Sequence, residues 1–473
     1  MQNFIDSIYN FIKTVNAYLS DYVLLILLLG VGVFFTVKTR FVQVRCFKEG
    51  FITLFGKNKK GDGKDKGVST FQAFTTAVAS QVGTGNIVGV SGAILIGGPG
   101  AVFWMWVIAF FGMATAYSEA VLAQKTRILG DNGIYKGGPV YYIKQAFKGG
   151  FGKFLAVFFS VACMVAIGFV GGMVQSNSIG ESVHNATGVP FYVVGMVITA
   201  LLLLILIGGV KRIASVTEKL VPIMAIVYIL GSLVVLAFNI VKVPQAFWVI
   251  IKFAFVPQAL IGGGFGYALK TALSQGAKRG LFSNEAGMGT TPHAYALADA
   301  ENPHKQGTVA IVSVFLDTFV ILTITALVVI SSLYTSGGVL ENGVVPNGVG
   351  NTNLVATAIT SAFGGGSVAS KISACFIAVC LTFFAFSTII GWNLFGRINF
   401  EYLFGKKWII VYFLISLAFV FLGSMLKSDL VWEFTDFFNY LMVIPNVLAL
   451  FTLNKRVMEE VKQNGPKNKK LYD

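Results

Sequence analysis

Long apolar runs alternate along the chain with short segments that gather its charges. Windows of about 20 apolar residues, the length a helix needs to cross a bilayer, fall at 22–37, 69–97, 101–124, 154–180, 191–209, 217–240, 253–277, 307–334, 369–395, 408–426 and 430–453. The pattern predicts an all-α polytopic membrane protein with eleven transmembrane helices. Ahead of the first window, Phe4, Ile5, Ile8, Phe11, Ile12, Val15 and Leu19 recur at helical spacing. They predict an amphipathic helix over 1–20 lying in the membrane interface. The same stretch lacks the basic leader, continuous apolar core and small-residue cleavage site of a signal peptide.

Composition agrees with this pattern. The chain is 55% hydrophobic and 12% charged, with a mean hydropathy of +0.75, far too apolar for a soluble globular protein. A formal charge of +15 would suit a nucleic-acid partner only if the cations gathered on one soluble face, and here they sit between apolar runs. They report topology instead. With the N-terminus outside, the inner segments 38–68, 125–153, 210–219, 270–306, 396–407 and 454–473 hold 31 of the 36 Lys and Arg. Only Lys13, Lys242, Lys252, Lys371 and Lys427 stay outside, as the positive-inside rule requires, and the C-terminus is cytoplasmic.

Setting aside the first span with its basic loop (21–68), ten spans remain. Five lie in 69–240 and five in 253–453, followed by a basic cytoplasmic tail at 454–473. An odd number per half makes the halves an inverted repeat. Each opens on an interrupted helix, "ASQVGTGNIVG" (79–89) in the first and "LIGGGFGYALK" (260–270) in the second. Glycine costs a helix about 1 kcal/mol against alanine, and unpaired polar groups at membrane depth cost several each. Paired Gly-interrupted segments at corresponding places mark a transporter site at the bilayer midplane. Where the first helix unwinds between Gly83 and Gly85, freed N–H groups suit a carboxylate, while the carbonyls of the preceding half-helix suit a cation or an ammonium. Small residues that merely let helices approach are the plainer alternative, and Gln81, Thr84 and Asn86 in the same turn weigh against it.

The remaining chemistry is sparse. Cys46, Cys163, Cys375 and Cys380 show no paired spacing and predict neither a metal site nor a disulfide framework. His184, His293 and His304 fall on different loops, with no H-E-x-x-H and no paired acids in a span, so an enzyme is not expected. A channel would want a polar stripe along a span, whereas the polar groups gather at two breaks. Glu119 and Asp317 are acids within spans and candidates for function, Glu119 expected near the inner end beside Lys125. The block 279–301, with Arg279, Asn284, Glu285, His293 and Asp299, reads as a structured inner loop.

Four stretches carry a resemblance: "GTGNIVGVSGAILIGGPGAVFWMWVIAFFGMATAYSEA" (83–120), "MVQSNS" (173–178), "RGLFSNEAGMGTTPHAYA" (279–296) and "FFAFSTIIGWNLFG" (383–396). Over nearly its whole length the chain resembles the alanine or glycine:cation (sodium) symporter family. The resemblance implies the leucine-transporter-like fold of the amino acid–polyamine–cation superfamily, in the plasma membrane of a prokaryote. It implies Na⁺-coupled import of small neutral amino acids, alanine or glycine, by alternating access, with Na⁺ as coupling ion and no other cofactor.

Residue by residue, the resemblance puts the substrate carboxylate on the amides of Gly83, Thr84, Gly85 and Asn86, with Gln81 beside them. The ammonium falls to carbonyls of Gly262, Gly263 and Gly264, under Phe265. Gln175 contacts substrate, and Thr388 and Trp392 line the pocket, the indole as a wall favouring small side chains. The sodium site comprises the carbonyls of Ala79, Val82 and Phe384 with the hydroxyls of Ser387 and Thr388, and oxygen-only ligation suits a monovalent ion. A proton-coupled carrier of a small amino acid is the alternative, since in related folds a cationic side chain replaces that sodium. No Lys or Arg lies beside either expected break, which favours sodium.

Overall fold

The computed structural model describes residues 2–56, 67–130, 133–256, 265–426 and 428–465. The chain is almost wholly helical: α1 (Ser7–Lys38), α2 (Thr70–Gln81), α3 (Val88–Gly97), α4 (Ala101–Thr126), α5 (Gly149–Thr187), α6 (Phe191–Ile207) and α7 (Gly209–Phe238) are followed by α8 (Val243–Phe255), α9 (Phe265–Asn284), α10 (Pro292–Ala296) and α11 (Pro303–Leu333), and then by α12 (Ser367–Phe404), α13 (Lys406–Gly423), α14 (Val431–Thr452) and α15 (Asn454–Asn464). Among the described residues, eight of these helices are long and apolar enough to cross a membrane, and α2 with α3, bent by 56°, makes up to nine.

Local chemistry sets the ends. Ser69 caps α2 reciprocally: its Oγ accepts the Gln72 N–H at 3.0 Å, and the Gln72 side chain accepts the Ser69 N–H at 3.0 Å. Asn302 caps α11 by accepting the Lys305 N–H at 2.9 Å, just ahead of Pro303 in the first turn. Three helices carry a π turn, at Leu19–Leu24 in α1, Met164–Val170 in α5 and Phe315–Leu322 in α11. The last of these holds Asp317, and such turns recur at functional sites.

Two expectations are revised. The interfacial helix over 1–20 and the span at 22–37 are one continuous helix, because Gln2–Tyr18 runs through its π turn into Leu25–Lys38. It braces the bundle: Asn16 Nδ2 donates to Glu433 Oε2 at 2.7 Å on α14, and Asp21 accepts from Ser274 and pairs with Lys270 at 2.9 Å on α9.

The window 253–277 is not a helix as drawn. α8 ends at Phe255, Val256 leaves helical dihedrals, and residues 270–284 of the segment read as an inner loop belong to α9. Lys270, Lys278 and Arg279 sit on α9, separated from Lys305 by an irregular stretch. These cations, with Thr271, Ser274 and Gln275, make α9 too polar to register as a span, and the apolar window slides upstream. For the eleven-span expectation, α9 and the 17-residue α6 fall outside the length-and-composition count.

Candidate functional site

α2 stops at Gln81 because Val82 and Gly83 leave helical dihedrals (φ −81°, ψ 89° and φ −138°, ψ −147°). One 3₁₀ turn, Thr84–Asn86, follows before α3 begins at Val88. The freed backbone groups find side-chain partners. Asn86 Oδ1 accepts the Gly83 N–H at 3.0 Å, and Gln175 Oε1 on α5 accepts the Thr84 N–H at 3.2 Å. On the carbonyl side, the Thr388 hydroxyl of α12 lies 2.9 Å from the Ala79 oxygen and 3.4 Å from that of Val82. A Cβ on Gly83 would fall 2.3 Å from Thr388 Oγ1, so only glycine lets α12 approach this closely.

Opposite this break stands a second one. α9 ends at Asn284, and the next residues run through left-handed backbone at Glu285 (φ 58°), Gly287 (φ 90°) and Gly289 (φ 81°) before α10. The amides of Gly287 and Gly289 point at one carboxyl group, donating to Glu119 Oε2 and Oε1 at 3.2 and 3.0 Å, and Asn446 Nδ2 donates to the same group at 2.6 Å. Glu119 is therefore the cap of the second break rather than a partner of Lys125, which pairs with Glu460 on α15 at 3.1 Å.

Three side-chain links join the breaks. Gln81 Nε2 donates to the Asn284 carbonyl at 2.7 Å. Asp317 accepts from Asn86 Nδ2 at 2.7 Å and from Ser283 Oγ at 2.9 and 3.0 Å. Glu285 accepts from Ser80 Oγ at 3.0 Å, from Thr290 Oγ1 at 2.6 Å and from the Trp392 indole. These acids and Glu119 are fully buried. Beside the links, Ser387 Oγ lies 2.8 Å from the Phe384 carbonyl and 3.5 Å from that of Ala79, and Thr388 Oγ1 is 3.1 Å from Phe384 O.

Residues 5–472 match the sodium:alanine symporter family. A sodium/alanine symporter of Methanococcus maripaludis is 39% identical over 453 residues, covering 95% of this chain and 96% of its own. The chain belongs to the sodium:alanine symporter family. A putative sodium/proton-dependent alanine carrier of Bacillus subtilis is 39% identical over 476 residues, 98% of this chain and 94% of its own. A probable sodium/glutamine symporter of the same organism is 37% identical over 441 residues, with 93% and 87% covered. Among solved structures, a manganese transporter of Eremococcus coleocola superposes with a TM-score of 0.51 at 13% identity, over 84% of this chain and 80% of that one, a likeness of fold alone. As a member of the sodium:alanine symporter family, the protein is a multi-pass membrane transporter for cation-coupled amino-acid movement, and not an enzyme.

In this sodium:alanine symporter family member the structure brings together Ala79, Gln81, Val82, Gly83, Thr84, Gly85, Asn86, Gln175, Phe384, Ser387, Thr388 and Trp392. Gly262, Gly263 and Gly264 lie outside the described residues. Phe265 opens α9, a 20-residue helix that spans about 30 Å, so it stands at the end away from the breaks. Among the described residues, those that face Gly85 are Phe282 and Ser283, each within 3.2 Å of a Cβ built there. Ser80, Ser283, Asn284, Glu285 and Asn446 were not anticipated. The signal for them is "SNEAGMGTT" (283–291), which alternates glycine with polar residues as "SQVGTGN" does.

Three buried polar atoms cluster at the first break without a hydrogen-bond partner among the described residues: Gln81 Oε1, Thr84 Oγ1 and Gln175 Nε2. An acceptor, a hydroxyl and an amide donor left open around one turn of irregular backbone form a ready ligand cradle. A cavity of about 550 Å³ reaches toward it from the side bearing Tyr9, Ile96 and Glu181, and descends to Val88, Gly89 and Arg279. Arg279 in its lining holds its guanidinium 4.7 Å from the Trp432 ring centroid and 3.5 Å from Asp436, and the Phe282 ring lies 4.8 Å from Trp432 and 5.8 Å from Trp392.

Removing the second cap should be costly. Glu119→Ala leaves two buried backbone amides without their acceptor, at about 1–3 kcal/mol each, and removes one of the two acceptors of the Asn446 amide, which keeps the Gly287 carbonyl at 2.9 Å. The midpoint of thermal unfolding in detergent should fall by several degrees at roughly 2 °C per kcal/mol, and an unchanged midpoint would contradict the capping role.

Proposed function

We propose that this protein imports alanine and glycine together with Na⁺ by alternating access, in the plasma membrane of a prokaryote. The observation that carries the reading is the Thr388 hydroxyl, which lies within 2.9–3.4 Å of three carbonyl oxygens, those of Ala79, Phe384 and Val82. A hydroxyl has one proton to donate, so it satisfies one carbonyl and leaves the others directed at the same point. Its contact with Phe384 is the common back-bond of a helical threonine, but the two contacts to the end of α2 are not. With Ser387 Oγ the set is five neutral oxygens, which suits a monovalent cation rather than Ca²⁺ or Mg²⁺.

For the zwitterion, the Thr84 hydroxyl and Gln175 Nε2, the open donors of the first break, are offered to the carboxylate, Gly83, Gly85 and Asn86 shaping the turn. The ammonium is taken toward the Asn284 carbonyl and Glu285 at the other break, in place of the glycines upstream of Phe265. Relatives are named for alanine and for glutamine, so the pocket wall selects. Trp392 and Phe282 meet edge to face beside the breaks and favour the smallest side chains.

In this reading the chain crosses the bilayer eleven times with its N-terminus outside. The units 69–240 and 253–453 are inverted repeats, and residues 1–68 and the basic tail 454–473 are additions. Each repeat carries one broken helix, at 82–87 and at 285–291, and the pair rocks against the remaining helices around a fixed site.

A second reading, proton coupling, is favoured by one observation. Glu119, Glu285 and Asp317 are fully buried, and among the described residues none forms an ion pair with Lys or Arg. Protonation of one of them would supply a coupling charge, and a relative is named sodium/proton-dependent.

Purified protein in liposomes should accumulate labelled alanine when Na⁺ is imposed outside and the pH is equal on both sides. Accumulation driven by an inward pH gradient in Na⁺-free buffer would select the proton reading. Thr388→Ala should raise the Na⁺ concentration for half-maximal uptake about tenfold, the equivalent of 1.4 kcal/mol, and an unchanged Na⁺ dependence would remove this hydroxyl from the ion site. Gly85→Leu should abolish alanine binding in a protein that still elutes as a single species, whereas retained affinity would place the carboxylate elsewhere.

A further inference from the structure

Away from both breaks, Cys46, Glu49 and His304 bring a thiol sulfur, a carboxyl oxygen and an imidazole nitrogen within 4.8 Å of one another. Cys46 caps the helix Phe47–Phe55, which follows α1, and Glu49 sits one turn along it. Residues three apart share a helix face, so both side chains turn the same way. His304 is the second residue of α11, held there by Pro303 and the Asn302 cap. The two helices are locked in close register, since a Cβ on Gly50 would lie 2.4 Å from the Thr308 carbonyl of α11. Backbone packing thus brings the two helix starts together, where His304 Nε2 and Glu49 Oε2 meet at hydrogen-bond distance.

The spacing fits a small tetrahedral ion. Nitrogen and oxygen ligands at about 2.0–2.1 Å from zinc sit roughly 3.3 Å apart, and His304 Nε2 lies 3.2 Å from Glu49 Oε2. On the other side of the ring, His304 Nδ1 meets the Tyr117 hydroxyl at 2.6 Å. When Nδ1–H donates to that oxygen, Nε2 presents its lone pair to the ion, as outer partners of metal-bound histidines generally arrange. Cys46 and His304 are buried, whereas the Glu49 side chain is 34% exposed, which leaves one side open for entry and for a water as fourth ligand.

We propose that Cys46, Glu49 and His304 bind a divalent cation of the zinc class, tying the helix after α1 to the start of α11. Thiolate and imidazole select a borderline-soft ion, so the site does not compete for Na⁺, which is served by hard oxygens alone. The ion displaces the thiol proton, forming one metal–sulfur bond and releasing one H⁺ for each ion bound. Proton release therefore makes binding tighten as pH rises through the neutral range. The charges facing the site from neighbouring elements include Arg45, at the end of the short helix Val42–Arg45 just before Cys46, Glu460 on α15, which accepts the His304 backbone N–H at 3.2 Å, and Lys125 on α4, paired with Glu460.

Cobalt(II) is the probe. Full-length protein in detergent, stripped with a chelator, should take up one equivalent of Co²⁺ with a thiolate-to-cobalt charge-transfer band in the near ultraviolet, and one equivalent of Zn²⁺ should erase it. Cys46→Ser should remove the band, and Cys375→Ser, which alters the exposed cysteine, should keep it. Glu49→Gln should retain the band while weakening Co²⁺ binding about tenfold, the equivalent of about 1.4 kcal/mol. If Cys46→Ser fails to fold, Glu49→Gln and His304→Gln decide by the same titration. Absence of a band in the wild type, or a band that survives Cys46→Ser, overturns the proposal.

Discussion

A backbone amide or carbonyl released from a helix in an apolar interior must find another partner, and the centre of this protein is organised around meeting that requirement twice. At the first interruption Asn86 and Gln175 take the amides and Thr388 meets the carbonyls. At the second, Glu119 takes the amides of Gly287 and Gly289. Apart from Asn86, which belongs to the first break itself, these side chains come from α4, α5 and α12, so three long helices are tied to the caps that two short irregular segments need. The same dependence would make the breaks joints in the alternating-access cycle proposed above, because no cap can shift without freeing a backbone group for something else to bind.

The two joints are also coupled. Asp317 receives hydrogen bonds from Asn86 at one break and Ser283 beside the other, while Glu285 holds Ser80 and Trp392. Carboxyl groups with no lysine or arginine partner are expensive to bury. They are tolerated where a mobile positive charge is part of the working cycle. Cargo carrying an ammonium and a coupling cation would supply such charge, and would bear on the geometry of both breaks at once.

Much of this arrangement was legible in the sequence, with one consistent blind spot. The break at 82–87 stands out because glycines and amides interrupt an otherwise apolar run, and the oxygen cluster of Ala79, Val82, Phe384, Ser387 and Thr388 follows from a family pattern that the structure brings together. The second break was expected in 260–270, whose residues 260–264 lie outside the described ones, and among the described residues those facing Gly85 belong to 282–283, just ahead of the irregular stretch at 285–291. α9 carries three cations and several hydroxyls and amides, so hydropathy treats it as a loop, and its burial against α4 and α3 cannot be seen from its own composition. Glu119 was misread for a related reason. Lys125, six residues on, is a plausible partner in sequence, but the amides that hold the carboxyl group lie about 170 residues away. The continuity of α1 was missed because polarity at Ser20 and Asp21 looks like a boundary, whereas both are satisfied inside the bundle.

The central claim is that two facing interruptions hold the zwitterion between them. An experimental structure of the protein with alanine and Na⁺, at a resolution that locates the amino acid, tests it most directly. The account predicts the carboxylate against the Thr84 turn and Gln175, the ammonium toward Asn284 and Glu285, and an ion among Ala79, Val82, Phe384, Ser387 and Thr388. Continuous helices through 81–88 and 284–291, or alanine seated away from both, would contradict it.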